Sequence, residues 1–299
     1  MGKTTWVCTV VTQISLCFAL YVALNLGQPQ NFIKRSGSTP LDLFFISVNG
    51  GFRPLQQQFD LLKQMEKMAK TYKVGFIVSS SELGEDDPLM QNATQQFPSL
   101  RLPWYTTCSS RASEEQEVGC FKENITISNG KTLDIIGVDT ELLHKDSALR
   151  GSVSGNNSGK NQLHWLIRTL ETSTSNWRIV IGYQPLVACG ENKEQMEKQR
   201  VFKYLQHIFM KFAVNVYLSG QDCSNHVHEG SVAYIGNPSL NQKEPYSVFL
   251  SGSSFFSRDL ANGFLLHRVN SEQIVTYYIT SAGEVVYKTV LQQRGREVM

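Results

Sequence analysis

The sequence predicts an α/β domain of two packed mixed β-sheets flanked by helices, preceded by one N-terminal transmembrane helix. Three observations carry that reading. Strand-like and helix-like segments alternate from Leu43 to Ser219. From about Ser231 the pattern changes to short strands joined by turns. An uncharged run, Trp6–Leu26 (WVCTVVTQISLCFALYVALNL), stands before both. Alternating β and α followed by strands alone points to one domain with two layers of sheet.

Residues 1–5 read as a short cytosolic tail and residues 6–26 as the membrane segment. About 20 apolar residues span a bilayer as a helix, although Thr9, Thr12, Gln13 and Ser15 make this one only moderately apolar. The run exceeds a signal-peptide core and lacks a clean small-x-small cleavage site, which favours an uncleaved signal-anchor over a cleaved signal peptide. Flanking charge does not orient it, because Lys3 lies on one side and Lys34 and Arg35 on the other. The N-glycosylation triplets do: Asn92-Ala-Thr, Asn124-Ile-Thr and Asn156-Asn-Ser fit, whereas Pro238 excludes Asn237. All three are read as lying in polar loops. The expectation is a single-pass protein with a lumenal or extracellular C-terminal part, in the endoplasmic reticulum, Golgi or cell surface. Secretion is the alternative.

Residues 27–40 (GQPQNFIKRSGSTP) form a polar linker, and residues 41–292 form the domain, with 293–299 as a tail. Leu43–Val48 reads as a buried strand. In Pro54–Tyr72, Leu55, Phe59, Leu62, Met65 and Met68 recur at three- and four-residue spacing, so this is an amphipathic helix opened by a proline. Val74–Ser79 is the next strand, and such a β-α-β unit implies parallel pairing. Leu102–Thr107 and Thr132–Val138 are strand candidates, and residues 145–160 a Gly/Ser/Asn-rich loop. Helices follow at Asn161–Glu171 and Glu194–Met210, with strands at Arg178–Tyr183 and Val214–Ser219. The late strands are SVAYIG, SVFLSG, GFLLHRV, EQIVTYYIT and EVVYKTV.

The formal net charge of +2 argues against a nucleic-acid partner. Trp6 stands where a myristoylation signal requires Ser or Thr. The glycine-rich stretch before Lys160 has the wrong spacing for a phosphate loop. With Cys8 and Cys17 in the apolar run, four cysteines remain: Cys108, Cys120, Cys189 and Cys223. An even number in an oxidising compartment favours disulfides, with three pairings open. His226 and His228 lie two apart on a strand-like stretch, and with Asp222, Cys223 or Glu229 they could hold a single Zn²⁺. Two solvated surface histidines are the simpler account.

The order and spacing of LFFISVNGG, FIVSSSEL, PWYTTCSSR, QLHWLIRTLE, IVIGYQP, VYLSGQDCS and NGFLLHRV resemble the metallophosphoesterase (calcineurin-like) superfamily. Within it, the small single-domain purple acid phosphatases are the best match, over about residues 41–291. Active members of that family hold two metal ions on loops of pattern GD, GDxxY, GNH, GHxP and GHxH. The resemblance implies that the corresponding positions here are Val48, Glu82, Glu85, Ser110, Tyr183, Gln221 and Cys223, with Arg111 as a possible anion contact. Two closely spaced divalent ions need anionic and imidazole ligands, and this set supplies almost none. The resemblance therefore implies no cofactor, no catalysis, and a binding or scaffolding role toward an unidentified protein or glycan, beside the membrane as a partner. The alternative is an acid phosphatase or phosphoesterase with an altered, mononuclear site built on one divalent metal such as zinc, using Glu82, Asp222 and His226 or His228. Fold analogy also implies a Cys189–Cys223 bridge stapling adjacent loops, and a local Cys108–Cys120 bridge.

Overall fold

The computed structural model describes residues 42–107, 121–145, 158–186, 193–220, 228–229, 232–238, 246–250, 253–257 and 262–293, together with residues 13, 15 and 16. By its internal contacts the chain divides into residues 1–39 and 40–299. In the first unit, Gln13, Ser15 and Leu16 are helical. Among the described residues no helix is long and apolar enough to cross a membrane, and the segment 6–26 lies almost wholly outside them.

The second unit is built on two six-stranded mixed sheets. The first sheet contains β1 (Leu43–Asn49), β2 (Phe76–Ser80), β3 (Trp104–Thr106), β12 (Gly263–Val269), β13 (Gln273–Thr280) and β14 (Val285–Gln292), in the order β14-β13-β12-β1-β2-β3. The second contains β4 (Lys122–Thr126), β5 (Thr132–Gly137), β6 (Trp177–Gly182), β7 (Val216–Ser219), β8 (His228–Glu229) and β9 (Val232–Gly236), in the order β4-β5-β6-β7-β9-β8. β10 (Tyr246–Leu250) and β11 (Ser253–Ser257) form a separate two-stranded ribbon. β1, β2 and β3 are mutually parallel, as are β5, β6, β7 and β9. The helices are α1 (Leu55–Tyr72), α2 (Pro88–Gln96), α3 (Thr140–Lys145), α4 (Ser158–Thr172) and α5 (Lys193–Lys211).

Burial of apolar side chains between the sheets supplies the main driving force. Phe45, Phe76 and Val78 from one sheet meet Ile135, Trp177, Ile179, Ile181 and Leu218 from the other. Phe45 stacks on Phe76 at 4.8 Å between centroids. Trp177 is fully buried, and its indole N–H donates to the Asn270 carbonyl at 2.7 Å, so its one polar atom is satisfied. On the outside of the second sheet, Leu143 of α3, Leu166 and Leu170 of α4, and Leu205 and Phe209 of α5 cover Ile136, Val180 and Tyr217. This is the two-sheet, helix-flanked arrangement the alternation of elements predicts.

Several expectations change in detail. The buried stripe of α1 is Gln58, Leu61, Leu62, Met65 and Ala69. Leu55 and Phe59, which the spacing placed on the inner face, are 84% and 49% exposed. Two apolar stripes overlap on this helix, and its phase follows the one with the deeper contacts. The short elements α2, α3 and β4 escape the periodicity argument. In β4 no residue is fully buried, so no alternation marks it. Helix α2 is set by local chemistry: Asp87 caps it, its side chain accepting from the Leu89 N–H at 2.8 Å, and Pro88 opens it. Two glycosylation triplets read as loops are therefore in regular structure, Asn92 in α2 and Asn124 in β4. Asn156 lies outside the described residues.

Candidate functional site

The carboxyl ends of the parallel strands, where an α/β sheet ordinarily presents its ligand site, converge on a buried polar chain. Strand alternation places Ser47 and Asn49 of β1 on the same face as Phe45, toward the second sheet, and Val48 on the opposite face. Ser80 of β2, paired with Asn49, shares that inward face with Val78. The Ser47 hydroxyl donates to Asn237 Oδ1 at 2.7 Å. Asn237, just beyond β9, donates through Nδ2 to the Ser219 carbonyl at 3.1 Å and to Ser80 Oγ at 3.3 Å. One asparagine thus ties β1, β2 and β7 together across both sheets.

The same serine meets His267 of β12, whose Nε2 lies 2.8 Å from Ser47 Oγ and whose Nδ1 lies 2.9 Å from Thr276 Oγ1. Ser47 has one hydroxyl proton, and Asn237 Oδ1 receives it. His267 Nε2 must therefore carry the imidazole proton and donate it to Ser47, leaving Nδ1 to accept from Thr276. The ring is buried and stacks on Phe45 at 4.3 Å. Burial pushes its pKa down to about 3, so it is neutral. Thr276, His267, Ser47, Asn237 and Ser80 form one uncharged hydrogen-bonded chain.

The loops above this chain are held by further polar contacts. Asp87, fully buried, accepts from the Gly51 N–H at 2.8 Å through Oδ2 while its other oxygen caps α2. A Cβ at Gly50 would collide with that carboxylate, which accounts for glycine there. Arg53 donates to the carbonyls of Asn49 and Gly50. Burial lowers its pKa to about 10, against the opposing field of Asp87. In the next loop, Thr107 Oγ1 accepts from the Ser81 N–H at 2.8 Å and donates to the Ser81 carbonyl at 2.5 Å. The turn after β6 is fixed by Thr140, which accepts from the Gln184 N–H at 3.0 Å, and by Tyr217, whose hydroxyl donates to the Gln184 carbonyl at 2.6 Å. At Gly220 the loops meet so closely that a Cβ would lie 2.8 Å from the Tyr183 ring and 3.1 Å from Ser80 Cβ.

Of the positions singled out in the sequence, Val48 is buried at the end of β1. Glu82 and Glu85 are exposed in the loop after β2, and Tyr183 is half-buried in the turn after β6. Ser110, Arg111, Gln221, Asp222, Cys223 and His226 lie outside the described residues, as do Cys108, Cys120 and Cys189. His228 begins β8. No group of three His, Cys, Asp or Glu side chains that could hold a metal occurs among the described residues. The inward-facing side chains that do meet are neutral, and Ser47, Asn237 and His267 spend their lone pairs and protons on one another. That donor set does not fit a pair of divalent ions. Sequence reasoning missed Ser47, Ser80, Asn237 and His267 as a group. Counting inward positions along β1 points to Ser47 and Asn49, but nothing in the sequence links them to residues 190 and 220 positions away.

Two helix-flanked mixed sheets, with loops converging at the carboxyl ends of their parallel strands, are an arrangement this chain shares with known proteins. Among curated proteins it is similar to Purple acid phosphatase 17 of Arabidopsis thaliana, with 22% identity over an alignment of 333 positions covering 96% of this chain and 95% of that one. Among solved structures it shares its fold with GAP50, described as the anchor in the inner membrane complex of Plasmodium. The TM-score there is 0.65 at 20% identity, over 86% of this chain and 90% of that one. No family model matches the chain.

Proposed function

We propose that this chain is a non-catalytic member of the purple acid phosphatase-like group, tethered to a membrane of the secretory pathway by its N-terminal apolar segment and acting in binding or scaffolding. The observation that carries this reading is the neutral chain from Thr276 to Ser80. It fills the strand ends with self-satisfied hydrogen bonds where a two-metal hydrolase needs charged, open ligands. Asn49, the inward residue at the end of β1, is an amide rather than a carboxylate. The shared fold with a protein described as a membrane-complex anchor supports the tethered role. A disulfide from Cys189 to Cys223 completes the reading, holding together loops that metal ions hold in active relatives.

Full-length similarity to a protein named as a purple acid phosphatase makes catalysis the competing account. The discriminating experiment is metal analysis of the purified chain with phosphatase assays from acid to neutral pH, with iron, zinc, manganese and no added metal. The proposal expects substoichiometric metal and no turnover above background. Two equivalents of bound metal, or turnover lost on Glu82→Ala, would overturn it. Carbonate extraction tests the tether, and non-reducing peptide mapping tests the bridge.

A further inference from the structure

The glycosylation triplets are not equivalent in the fold. Asn124 pairs with Asp134 across β4 and β5. Its side-chain nitrogen donates to Asp134 Oδ1 at 2.6 Å and to Ser175 Oγ at 2.9 Å, so both Nδ2 hydrogens are in use. Both acceptors are inside the protein, Asp134 at 0% and Ser175 at 5% exposure. They belong to a larger cluster. Ser173 and Ser175 donate to the two Asp134 oxygens at 2.6 and 2.7 Å, Lys122 Nζ lies 3.2 Å away, and Thr132 donates to Ser175 at 3.0 Å. Asn124 is itself exposed at the sheet edge, so what distinguishes it is the use of its amide hydrogens and not burial. Asn92 lies half-exposed in α2, and its amide has no hydrogen-bond partner among the described residues.

Glycan transfer forms a bond from the sugar C1 to Nδ2, displaces one Nδ2 hydrogen as a proton, and releases the lipid diphosphate that carried the sugar. The new C–N bond is about 1.45 Å long and replaces an N–H bond. Here each N–H points at a buried oxygen, so the sugar carbon would overlap Asp134 or Ser175. The glycan and the cluster are mutually exclusive. The hairpin that brings Asn124 to Asp134 is also local, closed by residues 127–131, and such hairpins form in about 1–10 μs.

We infer that Asn124 stays unmodified in the folded protein as a structural amide, and that Asn92 is a glycan acceptor. This rests on the secretory reading above. The test expresses the full chain in cultured animal cells on an Asn156→Gln background, isolates the folded monodisperse fraction, and maps sites by enzymatic deglycosylation in heavy-oxygen water. Label is expected on Asn92 and absent from Asn124. Thr94→Val, which destroys the first triplet but keeps Asn92, removes one glycan from the mobility. Thr126→Val, which destroys the second but keeps Asn124, changes neither mobility nor melting temperature. Asn124→Ala lowers the melting temperature, which an acceptor without those two hydrogen bonds would not do. Label on Asn124 in the folded fraction overturns the inference alone. No label on either residue overturns the secretory reading together with it.

Discussion

Two of the polar clusters that the sandwich buries are satisfied in different ways. At the carboxyl ends of the strands, the chain from Thr276 to Ser80 carries no charge. Toward the amino ends of β5 and β6, Asp134 buries a full carboxylate. Burial alone would raise its pKa, but hydrogen bonds from Ser173, Asn124, Ser175 and Lys122 outweigh that and hold it below the usual carboxylate range. The difference shows what a buried charge requires here. Four donors, two from β4 and two from the turn before β6, converge on Asp134. Among the described residues no cation donates to the Ser47 chain itself, and its members are neutral groups satisfying one another. The charges nearby, Arg53 and Asp87, are engaged by the loop after β1 and the cap of α2.

The largest effect should come from removing the charge. Asp134→Ala leaves Lys122, Asn124 and two serines facing a space without an acceptor. It should cost about 3–5 kcal/mol in urea denaturation at neutral pH. A loss below about 1 kcal/mol would mean that the cluster is not a stabilising centre.

The second contrast is in pH. His267 has its pKa lowered in the folded state to about 3 from 6.5. Between these values the unfolded chain binds the proton and the folded chain does not, so stability falls as pH drops from about 6.5 toward 3. From pH 7 to pH 5 this amounts to about 2 kcal/mol. Asp134, whose folded pKa is depressed, adds its own loss only as pH falls below the ordinary carboxylate range. Equilibrium unfolding at several pH values should show the first slope, and His267→Gln should flatten it between pH 5 and 7. A slope unchanged by that substitution would assign the acid sensitivity elsewhere.

A smaller effect is expected from Ser47→Ala, which separates Asn237 from His267. Loss of neutral hydrogen bonds should cost about 1–2 kcal/mol, with no change in metal content. The smallest is an expected zero. Chelators should leave the melting temperature of the parent unchanged, because only a ligand bound to the folded state shifts it. A downward shift with a strong chelator would show that metal does occupy the strand ends.

Much of the framework was legible in the sequence because it depends on local pattern. β1 and β13 are mostly apolar on both faces, since both are buried on two sides. The crossover between β1 and β2 is α1, and it enforces parallel pairing. The absence of ligand chemistry at Val48 was also legible, since a valine side chain offers no donor wherever it points. Tertiary structure alone decided which face each strand presents, and so put Ser47 and Asn49, not Val48, toward the second sheet. It decided that Leu55 and Phe59 are exposed, because two overlapping stripes on α1 compete and packing selects one. It also drew Asn124, read from its triplet as a loop residue, into the Asp134 cluster, and closed the chain between Ser47, Asn237 and His267. These outcomes rest on contacts between residues as far as 220 positions apart. Sequence periodicity reports only what repeats within a few residues, whereas a hydrogen bond across two sheets depends on where the whole fold brings them.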